Sequence, residues 1–211
     1  LFADLNRYVV RPSTSLSILY DHRDPMAQLM LRVIEEVEVF KILTEKEKTT
    51  ISNRSRKLFT LSIIYQSTCD LLRKKKGAKV TEKETKLAIA YWNEVAANIP
   101  DWGLAAKREV SSAELRKETI HAHGIALRGL GKLGSSLVAM KTSEWQESLK
   151  GLKSIDWDRY NNSDWQGRAT SIKGRISKSH TNISLTTNYF KQKLGVALTP
   201  EEEELESEFT K

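Results

Sequence analysis

The 211-residue sequence holds one cysteine, four prolines and ten glycines. A lone thiol, Cys69, cannot form an internal disulfide, which excludes the stapled scaffolds of small secreted domains and points to a reducing, cytoplasmic setting. So little proline and glycine, beside 39% hydrophobic and 29% charged residues, excludes collagen-like and disordered chains. Long apolar runs are missing as well. The longest stretches free of charge, Leu58–Cys69 and Ser179–Phe190, span 12 residues each, short of the roughly 18 that a membrane helix needs. No transmembrane helix and no membrane partner are expected. The chain opens on Leu1 rather than Met and shows no leader pattern, so it reads as a piece of a larger protein. A chain of this length buries roughly 70% of its unfolded surface, enough for a core without staples.

Acidic residues are missing from one long segment. None occurs from Trp165 to Pro200, which are 36 positions, while the same segment holds Arg168, Lys173, Arg175, Lys178, Lys191 and Lys193. Ser171, Ser177, Ser179, Thr181 and Asn182 lie among them, the residue types that contact phosphate together with Lys and Arg. Trp157, Tyr160 and Trp165 precede the segment. They could stack on bases, but a core role is preferred for Trp157. The whole chain carries +7, from 34 Lys and Arg against 27 Asp and Glu. The final 13 residues, from Thr199, hold six Glu and one Lys, hence −5, which leaves +12 on residues 1–198. A basic body suits a polyanion.

Most of the chain has helical periodicity. Asp24-Pro25 opens a helix carrying Met26, Leu29, Met30, Val33, Ile34 and Val37. A second helix is expected over about Ser55–Lys75, with Leu58, Leu61, Tyr65, Thr68 and Leu72 on its apolar face. Thr81-Glu82-Lys83-Glu84 is a capping box that opens a third helix, which Pro100 ends. A fourth spans about Ala113–Met140, broken near its glycines, and a fifth carries Trp145, Leu149 and Leu152. Residues 154–182 read as loop, and a last short helix over about Ser184–Leu194 closes at Gly195. Val9-Val10 and Ser17–Tyr20 are weak strand candidates. The acidic run after Thr199-Pro200 is a terminal helix or a disordered tail, placed to compete with phosphate for the basic body.

Several motifs fail on context. Gly129-Leu-Gly131-Lys-Leu-Gly134 matches a dinucleotide fingerprint, but no strand precedes it, so close helix packing at small residues is the better reading. His121 and His123 are two apart, a spacing at which one helix cannot easily bring both to one metal. One is expected in the core and the other facing a cleft. Cys69 reads as a buried small hydrophobe. Arg54, Arg56 and Lys57 sit at the start of the second predicted helix, where cations oppose the helix dipole and a docked anion would offset them. Arg73–Lys76 with Lys79 is a basic run that dipole complementarity explains unaided.

Other segments are familiar. Phe2-Ala-Asp-Leu-Asn-Arg-Tyr8, Arg11-Pro12, Leu19-Tyr-Asp-His-Arg-Asp24, Arg54-Ser-Arg-Lys-Leu-Phe-Thr-Leu61, Ile120-His-Ala-His-Gly124, Ile155-Asp-Trp-Asp-Arg159 and Leu185-Thr-Thr-Asn188 occur in order across nearly the whole chain. Together they resemble the C-terminal portion of DndB-like, DGQHR-domain proteins. The resemblance implies a cytoplasmic protein linked to DNA phosphorothioate modification, acting as a DNA-binding regulator. The family's Asp-Gly-Gln-His-Arg stretch would lie before Leu1. Ala3-Asp-Leu-Asn-Arg7 with Arg11-Pro12 also looks like the Asn/Arg box of ParB-type N-domains, which implies phosphate contacts from Asn6 and Arg7 and a nucleotide in the intact protein.

The reading is therefore a mainly α protein: residues 1–24 as the end of a truncated ParB-like α/β unit, 25–198 as an irregular α-helical domain and 199–211 as an acidic tail. The expected partner is double-stranded DNA, held by Arg54, Arg56, Lys57, Arg168, Lys173, Arg175 and Lys178, with self-association or other modification proteins as further partners. An enzyme that hydrolyses nucleotide or nicks DNA is the competing class, with His22, His121 and His123 as the cleft to inspect, and a helical scaffold is the third. No metal and no other cofactor is expected. Chelator treatment should accordingly leave the melting temperature unchanged; a stoichiometric zinc whose removal unfolds the protein would refute this.

Overall fold

Short polar side chains set where the helices begin. The computed structural model describes residues 12–210, among which there are twelve α-helices and one two-stranded sheet. α1 (Thr14–Tyr20) starts at Ser13, whose hydroxyl accepts from the Leu16 amide. α2 (Pro25–Glu36) starts at Asp24 with Pro25 in the first position, as the sequence predicts. α3 (Glu38–Leu43) follows a break at Val37. β1 (Thr44–Glu45) pairs in parallel with β2 (Phe59–Thr60), Thr44 opposite Phe59. α4 (Leu61–Leu72) is capped by Thr60, and α5 (Glu82–Ala97) by Thr81 with both halves of the capping box formed. Then come α6 (Pro100–Lys107), α7 (Ser112–Glu118), α8 (Gly124–Leu137) and α9 (Thr142–Leu149), which runs into a 3-10 turn at Lys150–Ser154. α10 (Asn162–Trp165), α11 (His180–Lys193) and α12 (Pro200–Thr210) complete the chain.

The structure departs from the periodicity in several places, among them α10, which forms within the expected 154–182 loop. Residues 55–60 are not helical: Leu58 donates to the Leu43 carbonyl, and the carbonyls of Ser52, Asn53, Ser55 and Lys57 all accept from Arg116, so this backbone is committed to tertiary partners. The basic cluster Arg54, Arg56 and Lys57 thus lies in a loop rather than at a helix start. The third helix ends at Ala97 with Asn98 as its cap, and Pro100 opens α6 rather than closing α5. The fourth helix is two, α7 and α8. The break falls at Thr119–His123, where Ile120 donates to Trp157 and Arg159 to Glu118, and the glycines at 129–134 lie inside an unbroken helix. Ser17–Tyr20 is helix, its alternation being too short to specify a strand. The last predicted helix begins earlier, at the Ser179 cap, and Gly195 ends it in the left-handed region at φ +68°. Val9-Val10, Asn6 and Arg7 lie outside the described residues. Of the expected 1–24 unit, the described part packs on the helices: Ser15 Oγ accepts from the Ser62 amide, and buried Asp24 accepts from Tyr65 Oη at 2.8 Å and Gly77 N at 3.0 Å.

At the centre, α8 is sandwiched between α4 and α11. Its small residues permit this. A Cβ at Gly129 would sit 2.8 Å from Phe190, one at Gly134 2.5 Å from Leu71 and Tyr91, and one at Gly131 would overlap the Ser67 carbonyl oxygen. Ile63, Ser67 and Leu71 of α4 thus meet Gly124, Gly131 and Gly134 of α8 in the same order, so the two helices run parallel. Around them an aromatic seam passes from Phe40 through Trp102, His121, Trp157 and Trp165 to Phe190. Each of these indoles finds an acceptor: Trp102 at His121 Nδ1, Trp157 at Leu152 O and Trp165 at Asp156 O. Trp165 is fully buried and Trp157 packs against the core, which leaves Tyr160 as the exposed member of that trio.

The acidic end is a docked helix. Lys191, buried, pairs with Glu202 at 2.7 Å, and Arg168 forks onto Glu206 at 2.6 and 2.7 Å while lying 4.5 Å from the centre of the Phe209 ring. Breaking such buried pairs costs more than exposed pairs contribute, so α12 belongs to the folded body.

Glycine placement yields a stability test. Gly→Ala in a helix interior ordinarily stabilises by up to about 1 kcal/mol. At Gly103 of α6, where an added Cβ meets nothing within 4 Å, that gain should appear in urea melts. Gly131→Ala should instead destabilise by about 1–3 kcal/mol through overpacking. A neutral Gly131→Ala would disprove the close approach of α4 and α8.

Candidate nucleic-acid interface

Because α4 and α8 are parallel and in contact, their N-termini open side by side. A cleft of about 1160 Å³ lies at these ends, walled by the 49–59 loop, α7 and the 175–178 segment. Thr60 caps α4. No side chain caps α8, and Gly124 and Ile125 of its first turn line the cleft. Gly124 is needed there, since a Cβ would sit 2.8 Å from Ile63. Two positive helix ends brought together repel each other, and an anion between them would relieve this.

Most of the charged lining side chains share that sign. Arg116, Lys117, Arg128, Arg159, Arg175 and Lys178 face Glu114 and Glu118, six cations against two acids, a surplus of four. Their roles differ. Arg116 holds the 52–57 loop through its carbonyls, and burial lowers its pKa. Arg128 is bound to Asp70 and donates to Gln66 at 2.9 Å. Arg159 donates to the Gly174 carbonyl at 2.7 Å, and Lys117 pairs with Glu118 at 2.8 Å in an exposed contact. Among the described residues Arg175 and Lys178 have no acidic partner. Both are exposed.

The two histidines divide as expected. His121 is fully buried, with Nδ1 accepting from the Trp102 indole at 3.1 Å and Nε2 2.9 Å from Asp101. That contact holds the Asp101 carboxyl below its ordinary range. His123 lines the cleft, and its Nε2–H donates to the Arg116 carbonyl at 2.8 Å. Burial lowers its pKa from 6.5 to about 4. At neutral pH His123 therefore offers Nδ1 as an acceptor and contributes no charge.

The predicted DNA contacts are only partly assembled. Arg175 and Lys178 line the cleft, and Lys173 is exposed at the tip of the adjoining turn. Arg54 and Arg56 are exposed on the loop that walls the cleft but do not line it, and Lys57 is turned away onto the Ile42 carbonyl. Arg168 is corrected outright, since its guanidinium is engaged by Glu206. His22 is exposed at the α1–α2 turn and does not line the cleft, so the set His22, His121 and His123 does not converge. Sequence reasoning missed Arg116 and Lys117 of α7, Arg128 of α8 and Arg159 of the loop before α10; only Arg159 stood in a quoted segment. Cys69 is partly buried, outside the cleft, with its thiol pushed up to about 11 chiefly by burial. Among the described residues no cluster of three or more His, Cys, Asp or Glu could hold a metal ion, and no helix is long and apolar enough to cross a membrane.

The His123 environment has a pH consequence. A base whose folded pKa is depressed contributes stability above its unfolded pKa, and loses it as pH falls through the folded value. His123→Gln keeps a donor for the Arg116 carbonyl and removes the titration. The stability of wild type minus that of the variant should fall between pH 6.5 and about 4, measured by urea melts at fixed ionic strength. A difference that stays flat across this window would contradict the assignment.

Searches of curated protein sequences and of solved structures give no match. A family model described as DndB, DNA-sulfur modification-associated, matches residues 1–197. The match spans α1 to α11 together with every residue that lines the basic cleft, and the chain belongs to the DndB family of DNA-sulfur modification-associated proteins.

Proposed function

We propose that this protein binds double-stranded DNA through the basic cleft and acts in the cytoplasm as a regulator of the genes for DNA phosphorothioate modification. The observation that carries the reading is the convergence of two helix N-termini with a surplus of four positive charges at one cleft. Phosphates would meet amides of the uncapped α8 turn and the unpaired Arg175 and Lys178, while hydroxyls of Thr49, Thr50 and Ser177 in the lining supply further hydrogen bonds. Family membership in a DNA-modification system supports the same partner. Of His22, His121 and His123 only His123 lines the cleft, and the exposed large hydrophobes are dispersed along the chain, so the binding role is preferred to the enzyme and the scaffold.

Fluorescence anisotropy against the gene's own upstream DNA and a scrambled duplex, across a salt series, tests this. Each neutralised phosphate adds about 0.9 to the slope of log affinity against log salt. Lys173→Ala/Arg175→Ala/Lys178→Ala should lower that slope by about 2 to 3 and weaken both duplexes alike, since phosphate contacts carry no sequence information. Its stability should stay within about 0.5 kcal/mol of wild type. A folded triple variant with the wild-type slope would move the DNA surface away from this cleft.

A further inference from the structure

The turn that carries Lys173 breaks the usual chemistry of turns. Gly174 N donates to Ser171 O at 2.8 Å, Ser171 N donates to Arg175 O at 2.8 Å, and Gly174 adopts φ +68°. This is a short hairpin loop closed by a left-handed glycine, with Ile172 and Lys173 at its tip. Tips of such loops favour Gly, Asn, Asp, Ser or Pro. Here the tip residue is β-branched and apolar, and Ile172 is 87% exposed, more than any other large hydrophobe among the described residues. Single exposed apolar residues are common, but this one is held in place. Thr170 bridges Ile176, Ser177 N donates to Ala169 O at 2.9 Å, and Arg159 donates to Gly174 O at 2.7 Å. Tyr160, 59% exposed, stands next to Arg159 on the loop that this last bond ties to the hairpin. Within the fold neither side chain gains from this position.

The geometry points to Ile172 as an apolar wedge that enters a base step of duplex DNA, with Lys173, Arg175 and Lys178 holding the phosphates beside it. The inference rests on the DNA-binding reading above and adds to it a mode of contact: partial unstacking and a bend, in place of backbone contact alone. Proteins that kink DNA insert Ile, Leu, Met or Phe in this way, recovering the cost of unstacking through the extra surface that the bent duplex covers. Pyrimidine–purine steps unstack most easily, so TA and CA steps are the preferred insertion sites. The rigid hairpin lets the wedge enter without first being ordered, and its cations explain why the apolar tip faces DNA rather than another apolar surface.

The full 211-residue chain is tested on a mixed-sequence duplex with a donor and acceptor dye at its ends and 2-aminopurine at a central TA step. Wild type should raise both energy transfer and 2-aminopurine fluorescence. Ile172→Ala should abolish both signals, weaken binding roughly tenfold or more, the scale of burying one Ile side chain, and leave the salt slope and the melting temperature unchanged. Lys173→Ala should do the reverse, lowering the slope by about 0.9 while the bend persists at saturation. If Ile172→Ala bends and binds the duplex like wild type, the wedge is overturned while the cleft reading stands. Wild type that does not bind duplex at any salt overturns both, and so does Ile172-dependent binding to phosphatidylglycerol vesicles without duplex binding.

Discussion

The close parallel approach of α4 and α8 is the constraint on which the remaining architecture depends. Side chains larger than hydrogen at positions 124, 131 and 134 would separate the two helices, and with them the helix ends that floor the cleft. Parallel neighbours are electrostatically unfavourable, because like ends of the dipoles meet. Burial of Ile64, Leu71, Leu127, Leu130 and Leu133 in the core offsets that repulsion. The cleft is thus a product of packing: the positive potential at its floor follows from bringing the backbones together, and the arginines of α7, α8 and the 159 loop add to it.

The helical class could be read directly because its signals are local. Asp24-Pro25 and the Thr81–Glu84 box are complete within four residues, and both form as written. The division of the histidines matched the expectation for a different reason: opposite facing at a spacing of two holds on a helix, whereas His121 and His123 lie in the break between α7 and α8, where Trp102 and Asp101 draw the first inward and the Arg116 carbonyl holds the second. The extent of the second helix was not legible. Leu58 has the right period, yet its amide is drawn to Leu43 and the preceding carbonyls to Arg116, a partner 59 to 64 positions away. Arg168 failed for a related cause: it looked free because no acid follows it before Glu201, while Glu206 reaches it from α12. Most of the cleft escaped the sequence reading because Arg116, Arg128, Arg159 and Arg175 come from four elements that no sequence window holds together.

The two halves of the basic segment have different roles. Arg168 and Lys191 are spent inside the protein, on α12, and serve cohesion. Lys173, Arg175 and Lys178 stay in solvent. The absence of acids from Trp165 to Pro200 therefore has two physical origins, one in the attachment of an acidic helix and the other in an open surface. The family match stops at residue 197, before α12, so the cohesive half is tied to a segment beyond the matched region.

Arg116 organises one wall of the cleft. Its guanidinium collects carbonyls from Ser52, Asn53, Ser55 and Lys57, a stretch with no helix or strand of its own. The planar fork of arginine can serve several acceptors at once, which a lysine ammonium on its flexible stem cannot reproduce. The 46–58 segment is thus held to the body mostly through side chains: Arg116 on its carbonyls, Ser13 and Ser15 on Glu47 O and Lys48 O, Ser112 on Arg56 O, Lys46 on Glu35 and Lys57 on Ile42 O, beside the Leu58–Leu43 backbone bond. One wall of the cleft should exchange its amide hydrogens far sooner than the α4–α8 floor, so the site combines a fixed base with a side that can yield to the shape of what it holds.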